Sequence, residues 1–470
     1  MKSLFTPVVP LPILSAESLR EIAHEALAAS SADVTSVLVH HIATGVTRVT
    51  DNHVRVSDSG DTLTIELEVR FGDRESCRVV FNQADLGGIR AAVRYAEGVA
   101  RESGGDPGLT PQAMPILPRS FLNSTVWHDE TAAAMTEARQ EIVPALLHPM
   151  IADNLQAAAF VGVYAHAKMY ADKQGLFSTD QETDAEIAVT GRTRNDVGIL
   201  ASPGWAGQAA REWKTLDAAA VGAEAARITK LAANAVAYEP GRRLTILDRP
   251  AVAQMLRAVG RDFDAFATHR GMTPLSGFKI GQKVWDERID LSSDPNDPDG
   301  GYLTCDDQGF PLSPMSWLSG GKLDNLAYNA YYAAQMGVAQ SNDAPESLRM
   351  QAVKGGKTLT VDEMITGAKE AIYVNRLTDI QVINGRTGLM TGYTQGGCFL
   401  VHNGKIEKPV KDFRFVESMY FILNRLVAMG TPKRTAFGYA PWHGAWPIAP
   451  TIVPPVMISD FNFVALAEAV

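Results

Sequence analysis

The chain has 470 residues, 46% hydrophobic and 20% charged, an ordinary globular composition, and it is long enough to bury a sizeable core without metals or disulfides. Lys and Arg number 43 against 53 Asp and Glu, for a net charge of −10. That balance, with no Lys/Arg-rich run, argues against nucleic-acid binding and against a polybasic membrane surface. Three scattered cysteines, Cys77, Cys305 and Cys398, form no CxxC pair; a disulfide scaffold is not expected, and a reducing, cytoplasmic setting is.

The N-terminus is apolar but broken by Pro7, Pro10 and Pro12, so no signal peptide is expected. No apolar run reaches the roughly 18 residues of a membrane span. Residues 15–29 carry Leu19, Ile22, Ala23, Ala26 and Leu27 at helical spacing, with Ser18 and Glu21 placed for a capping box. "DVTSVLVHHIATGVTRVTDNHV" reads as two strands broken near Gly45. In "DTLTIELEVRFGDRESCRVVF", Leu63, Ile65, Leu67 and Val69 alternate with polar residues, the pattern of a hairpin with one wet face, turning at Gly72-Asp73. Asn82 is placed to cap a helix through about Ala100. Residues 102–118 are Gly/Pro-rich and predict a long connection. A helix over 131–147, two or three antiparallel strands over 157–193 and an Ala-rich helix over 215–235 follow.

The turn at 239–243 marks the expected boundary between an N-terminal domain (1–238) and a C-terminal domain (239–470). "LTILDRPAVAQMLRAVGRDFDAF" reads as a strand, a turn and a helix opening at Pro250, with Val252, Met255, Leu256 and Val259 as its packing face. Residues 360–374 predict a short helix. "DIQVINGRTGLMTGYTQGGCFLVHNGKIEKPV" predicts three or four strands turning at Asn384-Gly385 and Asn403-Gly404. The predicted fold class is α+β: an antiparallel sheet with flanking helices, then a β-rich domain of antiparallel strands.

Motifs for chemistry are sparse. His24-Glu25 begins like a zinc helix, but Ala28 and Ala29 follow where a second His is needed. "KGGKT" has Gln351 where a phosphate loop needs Gly. "DPNDPDGG" puts Pro298 at the third coordinating position of a calcium loop. His40 and His41 point to opposite faces of a strand, one expected buried and one exposed. No GxSxG elbow occurs, and Cys398 reads as a small buried hydrophobe. His443, between Trp442 and Trp446 in a Pro/Gly-rich segment, is the most suggestive histidine.

Ordered landmarks nevertheless run along the chain: "GVTRVTDNHV", "GLFSTDQETDAEIAVTGRT", "GWAGQAAREWKTLD", "GQKVWDERIDLSSDP", "CDDQGFPL", "GGKLDNLAYNAYYAAQMG" and "INGRTGLMTGYTQGGCFLVHNGKIEKPVKDFRF". By these the chain resembles the TldD/PmbA family, whose old label is modulator of DNA gyrase. The resemblance implies a two-subunit metallopeptidase. A TldD-type chain binds zinc through an HExxxH helix and a late Cys; a PmbA/TldE-type chain keeps the fold without the metal ligands. Together they enclose a cavity for extended peptides and process small modified or unstable ones.

In the register the resemblance suggests, Arg257 stands for the first His, Ala258 for the Glu and Asp262 for the second His. His443 lies near the place of the late Cys. The resemblance thus implies a chain without metal or other cofactor, inactive alone, with zinc expected in a TldD-like partner. Arg257, Asp262 and His443, with Asp248 nearby, are the expected cavity residues, and none has a firm catalytic role. Two alternatives stand beside this: a homodimer with a metal-independent activity in the same cavity, and a non-enzymatic binding protein for peptides or a metabolite.

Overall fold

The computed structural model describes residues 13–72, 76–104, 121–134, 136–194, 200–300, 303–342, 345, 347–438 and 450–467. The fold is α+β, as the sequence predicts. The first half is one seven-stranded sheet: β1 (Val34–Thr50), β2 (His53–Arg70), β3 (Cys77–Phe81), β4 (Phe121–Val126), β5 (Gln156–Asp172), β6 (Phe177–Arg194) and β7 (Leu200–Ala210). Its order is β3-β2-β1-β5-β6-β4, with β7 also on β6. Among the described residues of this sheet, only the β4–β6 pair is parallel.

Gly45 does not break β1, which runs through it. The turn comes instead at Asp51-Asn52, both with positive φ, as a tight hairpin turn demands. Gly45 has another reason to be glycine: a Cβ there would lie 2.2 Å from the guanidinium of buried Arg139.

Helices α1 (Ala16–Ala29) and α2 (Leu86–Glu102) belong to this half, as do α3 (Asp129–Ala132), α4 (Thr136–Glu141) and α5 (Val143–Ala152), which divide the helix predicted over 131–147. The caps are Ser15 for α1 and Asp85 for α2, one turn before the predicted Ser18 and one turn after the predicted Asn82; in each, the short side chain accepts from the N–H three residues on. Residues 105–118 of the predicted connection lie outside the described residues. α6 (Ala218–Leu231) ends the half. Alternate residues of the sheet pack on these helices: Val37, Val39, Leu67 and Met169 against α1 and α2, and Val161, Ile187 and Val189 against α5 and α6.

The second half begins at β8 (Gly241–Leu247), then α7 (Arg249–Leu256) and α8 (Ala265–His269). Strands β9 (Ile289–Ser293), β10 (Met315–Ser319), β11 (Lys322–Leu323), β12 (Leu348–Ala352), β18 (Lys433–Arg434) and β19 (Thr451–Val453) build one sheet, with α9 (Ala330–Met336) inserted. The other holds β8, β13 (Glu370–Asn384), β14 (Leu389–His402), β15 (Lys405–Pro409), β16 (Phe413–Ser418), β17 (Leu426–Met429) and β20 (Val456–Leu466), with α10 (Val361–Gly367) and α11 (Met419–Ile422) alongside. The predicted helix over 360–374 is therefore half helix and half strand. The Asn403-Gly404 turn is where the sequence places it, both residues at positive φ.

The order β13-β8-β20-β16-β14 closes on itself, because β13 also pairs with β14. Phe413, Phe415, Phe461 and Phe463 are fully buried in the core of this half, with ring centroids 4.7–5.4 Å apart. Two pairs, β8–β13 and β12–β19, are parallel. Among the described residues no helix is long and apolar enough to cross a membrane.

Candidate functional site

The strand and turn before α7 form as the sequence suggests, but the helix is shorter. Asp248 caps α7, accepting from the Arg249 N–H at 2.7 Å, and Pro250 sits in the first turn, where its missing N–H costs nothing. Val252, Met255, Leu256 and Val259 are all buried in the core. The helix stops at Leu256, with Arg257 as its cap. A 3₁₀ turn over Gly260–Phe263 follows, then α8, capped by Asp264. The register for an HExxxH motif therefore straddles a helix end instead of running along one face.

The candidate residues have separate surroundings. Asp248 accepts a second bond from the Tyr373 hydroxyl at 2.8 Å, and burial raises its pKa. Arg257 is exposed, with its guanidinium 4.8 Å over the Phe437 ring. Asp262 accepts from the Tyr420 hydroxyl at 2.9 Å. Burial pushes its carboxyl up to about 7, against the Tyr420 bond, which pulls it down. No guanidinium counters that burial, so Arg257 and Asp262 do not act as an ion pair. His443 lies outside the described residues. A zinc site needs several N, S or O donors converging tetrahedrally; a capping carboxylate, a tyrosine-bound carboxylate and a cation do not fit one. Among the described residues, no group of three or more His, Cys, Asp or Glu could hold a metal ion.

The densest cluster of titratable groups lies elsewhere, on the face of the N-terminal sheet turned away from its helices. Period-2 alternation puts His40, His166, Lys168, Asp180, Glu182, Asp184 and Glu186 on that face. Cross-strand neighbours there are His40, Lys168 and Asp180 in one row, and His166 and Glu182 in the next. The loop of residues 303–312 covers part of it. Gly309, at φ +82, turns so close to Tyr170 that a Cβ would lie 2.3 Å from the ring.

Lys168, 2% exposed, donates to Asp307 at 2.9 Å and to the Cys305 carbonyl at 3.3 Å. Arg211 pairs with Glu182 and Asp184 and donates to the Gly300 carbonyl at 2.6 Å. Arg434 pairs with Asp184. Glu186 accepts from the Phe437 and Gly438 amides. Burial lowers His40 and takes His166 down to about 3, so both rings are neutral. Both histidines of the His40-His41 pair are in fact buried; His41 faces the helices and hydrogen-bonds Asp61 at 2.9 Å, so the exposed member expected from the sequence does not exist. The signal for the acidic row was present as alternate carboxylates in "TDQETDAE", a pattern that alone reads as a solvent face.

A second contact joins the halves through Trp205 of β7. The Asn375 amide donates to the Trp205 and Gly396 carbonyls, both at 2.7 Å. Arg376 lies 4.8 Å over the Trp205 ring and donates to the Phe437 carbonyl at 2.8 Å.

Residues 240–465 match the family model of the PmbA/TldA metallopeptidase C-terminal domain. A metalloprotease of Archaeoglobus fulgidus is 23% identical over 189 residues, 38% of this chain and 43% of that protein. One of Methanothermobacter thermautotrophicus is 23% identical over 210 residues, 43% of this chain and 45% of that one. The chain thus spans less than half the length of these curated relatives. Among solved structures, a protein described as a candidate modulator of DNA gyrase from Bacteroides thetaiotaomicron superposes with a TM-score of 0.81 at 15% identity, over 97% of this chain and 100% of that one. TldE from Thermococcus kodakarensis superposes with a TM-score of 0.77 at 15% identity, over 95% of this chain and 99% of that one. At these identities the superpositions establish a shared fold.

Proposed function

The chain belongs to the TldD/PmbA family, and from that premise we propose that it is a TldE-like subunit without metal in a TldD-type peptidase that processes small unfolded or modified peptides. One observation carries the reading: the segment Arg249–Thr268, where the resemblance places the zinc motif, holds neither His nor Glu. The guanidinium of Arg257 offers only N–H donors and no acceptor lone pair, so it cannot ligate zinc. Asp262 is committed to Tyr420, and Ala258 supplies no base. The TldE likeness in fold is consistent with this role.

A partner surface is available nearby. Met272, Val382 and Ile383 are 55%, 52% and 53% exposed, and Gly385 at the tip of the β13–β14 hairpin approaches the Met272 carbonyl. Exposed apolar groups of this kind mark protein contacts. A metal-bearing TldD-like chain would complete the chamber there, and the substrate would be an extended peptide held along strand edges.

The test is metal content, native mass and peptide cleavage of the purified chain, alone and with a TldD-like partner. The expected result is no bound zinc and no cleavage alone, with cleavage on mixing. One equivalent of zinc together with chelator-sensitive cleavage by the single chain would overturn the reading.

A second reading rests on Asp262, a carboxyl raised to about 7 beside a tyrosine, in the range of a general base. It makes the chain a self-sufficient homodimer with metal-independent chemistry. Turnover by the chain alone that Asp262→Asn abolishes would favour it; turnover that survives the substitution would remove it.

A further inference from the structure

The polar face of the N-terminal sheet is not an open surface; it is where the two halves of the chain meet. Each carboxylate along β6 is held from the C-terminal half or by a cation that also binds there. Asp180 accepts from the Thr304 amide at 3.1 Å and neighbours Lys168. Glu182 and Asp184 share Arg211, which also holds the Gly300 carbonyl. Asp184 also binds Arg434, which donates to the Asp299 carbonyl at 3.2 Å. Glu186 takes the Phe437 and Gly438 amides and, among the described residues, has no hydrogen-bonded cation of its own.

Among the described residues the charge count does not balance. Four carboxylates, Asp180, Glu182, Asp184 and Glu186, face three cations, Lys168, Arg211 and Arg434. His40 and His166 of β1 and β5 are neutral, and Tyr164 of β5 adds a phenol beside Glu186 and Asp184. From the covering loop, Asp306 and the half-exposed Asp307 add only more negative charge. Asp297 is taken up by Arg349. Arg48, at the solvent-exposed end of the same face of β1, acts on the Tyr164 phenol. An uncompensated charge in such a place is expelled or neutralised.

We propose that the contact between the two halves is a proton-linked clamp: it closes most tightly when one carboxylate of the β6 row, Glu182 or Glu186, carries a proton, and it loosens when that proton is lost. The Phe437–Gly438 end of the clamp is also where Arg257 rests, so loosening it frees the segment against which the α7 cap is placed.

The direction of the pH dependence follows from burial. Both glutamates are pushed from 4.5 up to about 7 in the folded chain. The stabilisation from the bound proton is full below the unfolded value and is lost as pH rises through about 7. Between those values each such proton changes the opening equilibrium by about tenfold per pH unit.

The experiment is hydrogen exchange on the full chain, reading protection factors of the Phe437 and Gly438 amides from about pH 5 to 8, in the wild type and in Glu186→Gln, Glu182→Gln and Glu417→Gln. Protection in the wild type should fall as pH rises. Each Gln at 182 or 186 mimics the protonated acid, so it should flatten that fall and leave the clamp better protected at about pH 8. Glu417, another carboxyl raised by burial but set in the barrel, should leave the slope unchanged when replaced. Wild-type protection that is constant or rises with pH would overturn the proposal, and needs no variant to fold. So would Glu186→Gln and Glu182→Gln both keeping the wild-type slope.

Discussion

Replacing Lys168 by Met tests how much the buried charges at the junction of the two halves depend on one another. Lys168 and Asp180 are 2% and 3% exposed, and they are cross-strand neighbours on β5 and β6. Met fills nearly the same space, so the loss is electrostatic. Above the Asp180 pKa of about 6, Lys168→Met leaves a buried carboxylate without its cation, which costs about 3–5 kcal/mol. Well below that value Asp180 already holds a proton, and the loss shrinks to the ammonium's hydrogen bonds. The Asp307 bond goes to a half-exposed partner and the Cys305 bond is long at 3.3 Å, so together they are worth only about 1–2 kcal/mol. Urea unfolding of both proteins at about pH 5 and pH 8 measures the two costs, and Lys168→Met with Asp180→Asn should recover most of the loss at pH 8. A destabilisation of the same size at both pH values would refute the argument, because it would show that Asp180 does not titrate against Lys168.

Asp248→Ala should cost about 1 kcal/mol for the lost cap and about 1–3 kcal/mol more for the Tyr373 hydroxyl left without an acceptor; denaturant midpoints give the sum, and Asp248→Asn should keep most of it. Gly222→Ala should destabilise by about 1–3 kcal/mol, since its Cβ would lie 2.2 Å from the Leu146 carbonyl oxygen and α5 and α6 must part; the thermal midpoint reads this. Tyr420→Phe removes a hydrogen bond to the ionised form of Asp262, worth about 1.5–3 kcal/mol, and should raise that carboxyl by about 1–2 pH units; a carboxyl-carbon NMR titration follows it.

What the sequence revealed were features set by neighbours in the chain. The alternation of Leu63, Ile65, Leu67 and Val69, the Asn403-Gly404 turn and the apolar stripe of α7 each depend on a few adjacent residues, and each forms as read. The misreadings are nonlocal. Gly45 resembled a strand break because nothing nearby announces the Arg139 guanidinium that needs its space. The α7 reading ran too long because helical spacing persists past Leu256, while Asp264 starts a new helix by capping it. The burial of the β6 acids had no local signal, because their cover comes from Gly300, residues 303–307 and residues 433–438. For the candidate site, the residue types at 248, 257, 258 and 262 were legible, but the partners of Asp248, Arg257 and Asp262, namely Tyr373, Phe437 and Tyr420, were not.

The closure of the barrel has a bearing on how the chain is made. β8 pairs with β13 on one side and with β20 on the other, so residues 241–247 wait for residues 456–463 before their second edge is satisfied. Contacts of such long range slow folding. On the ribosome the N-terminal sheet can assemble from its own hairpins, while β8 remains an exposed apolar edge through most of the synthesis of the second half. That interval, and not the finished fold, is when this protein is most open to aggregation and most dependent on chaperones.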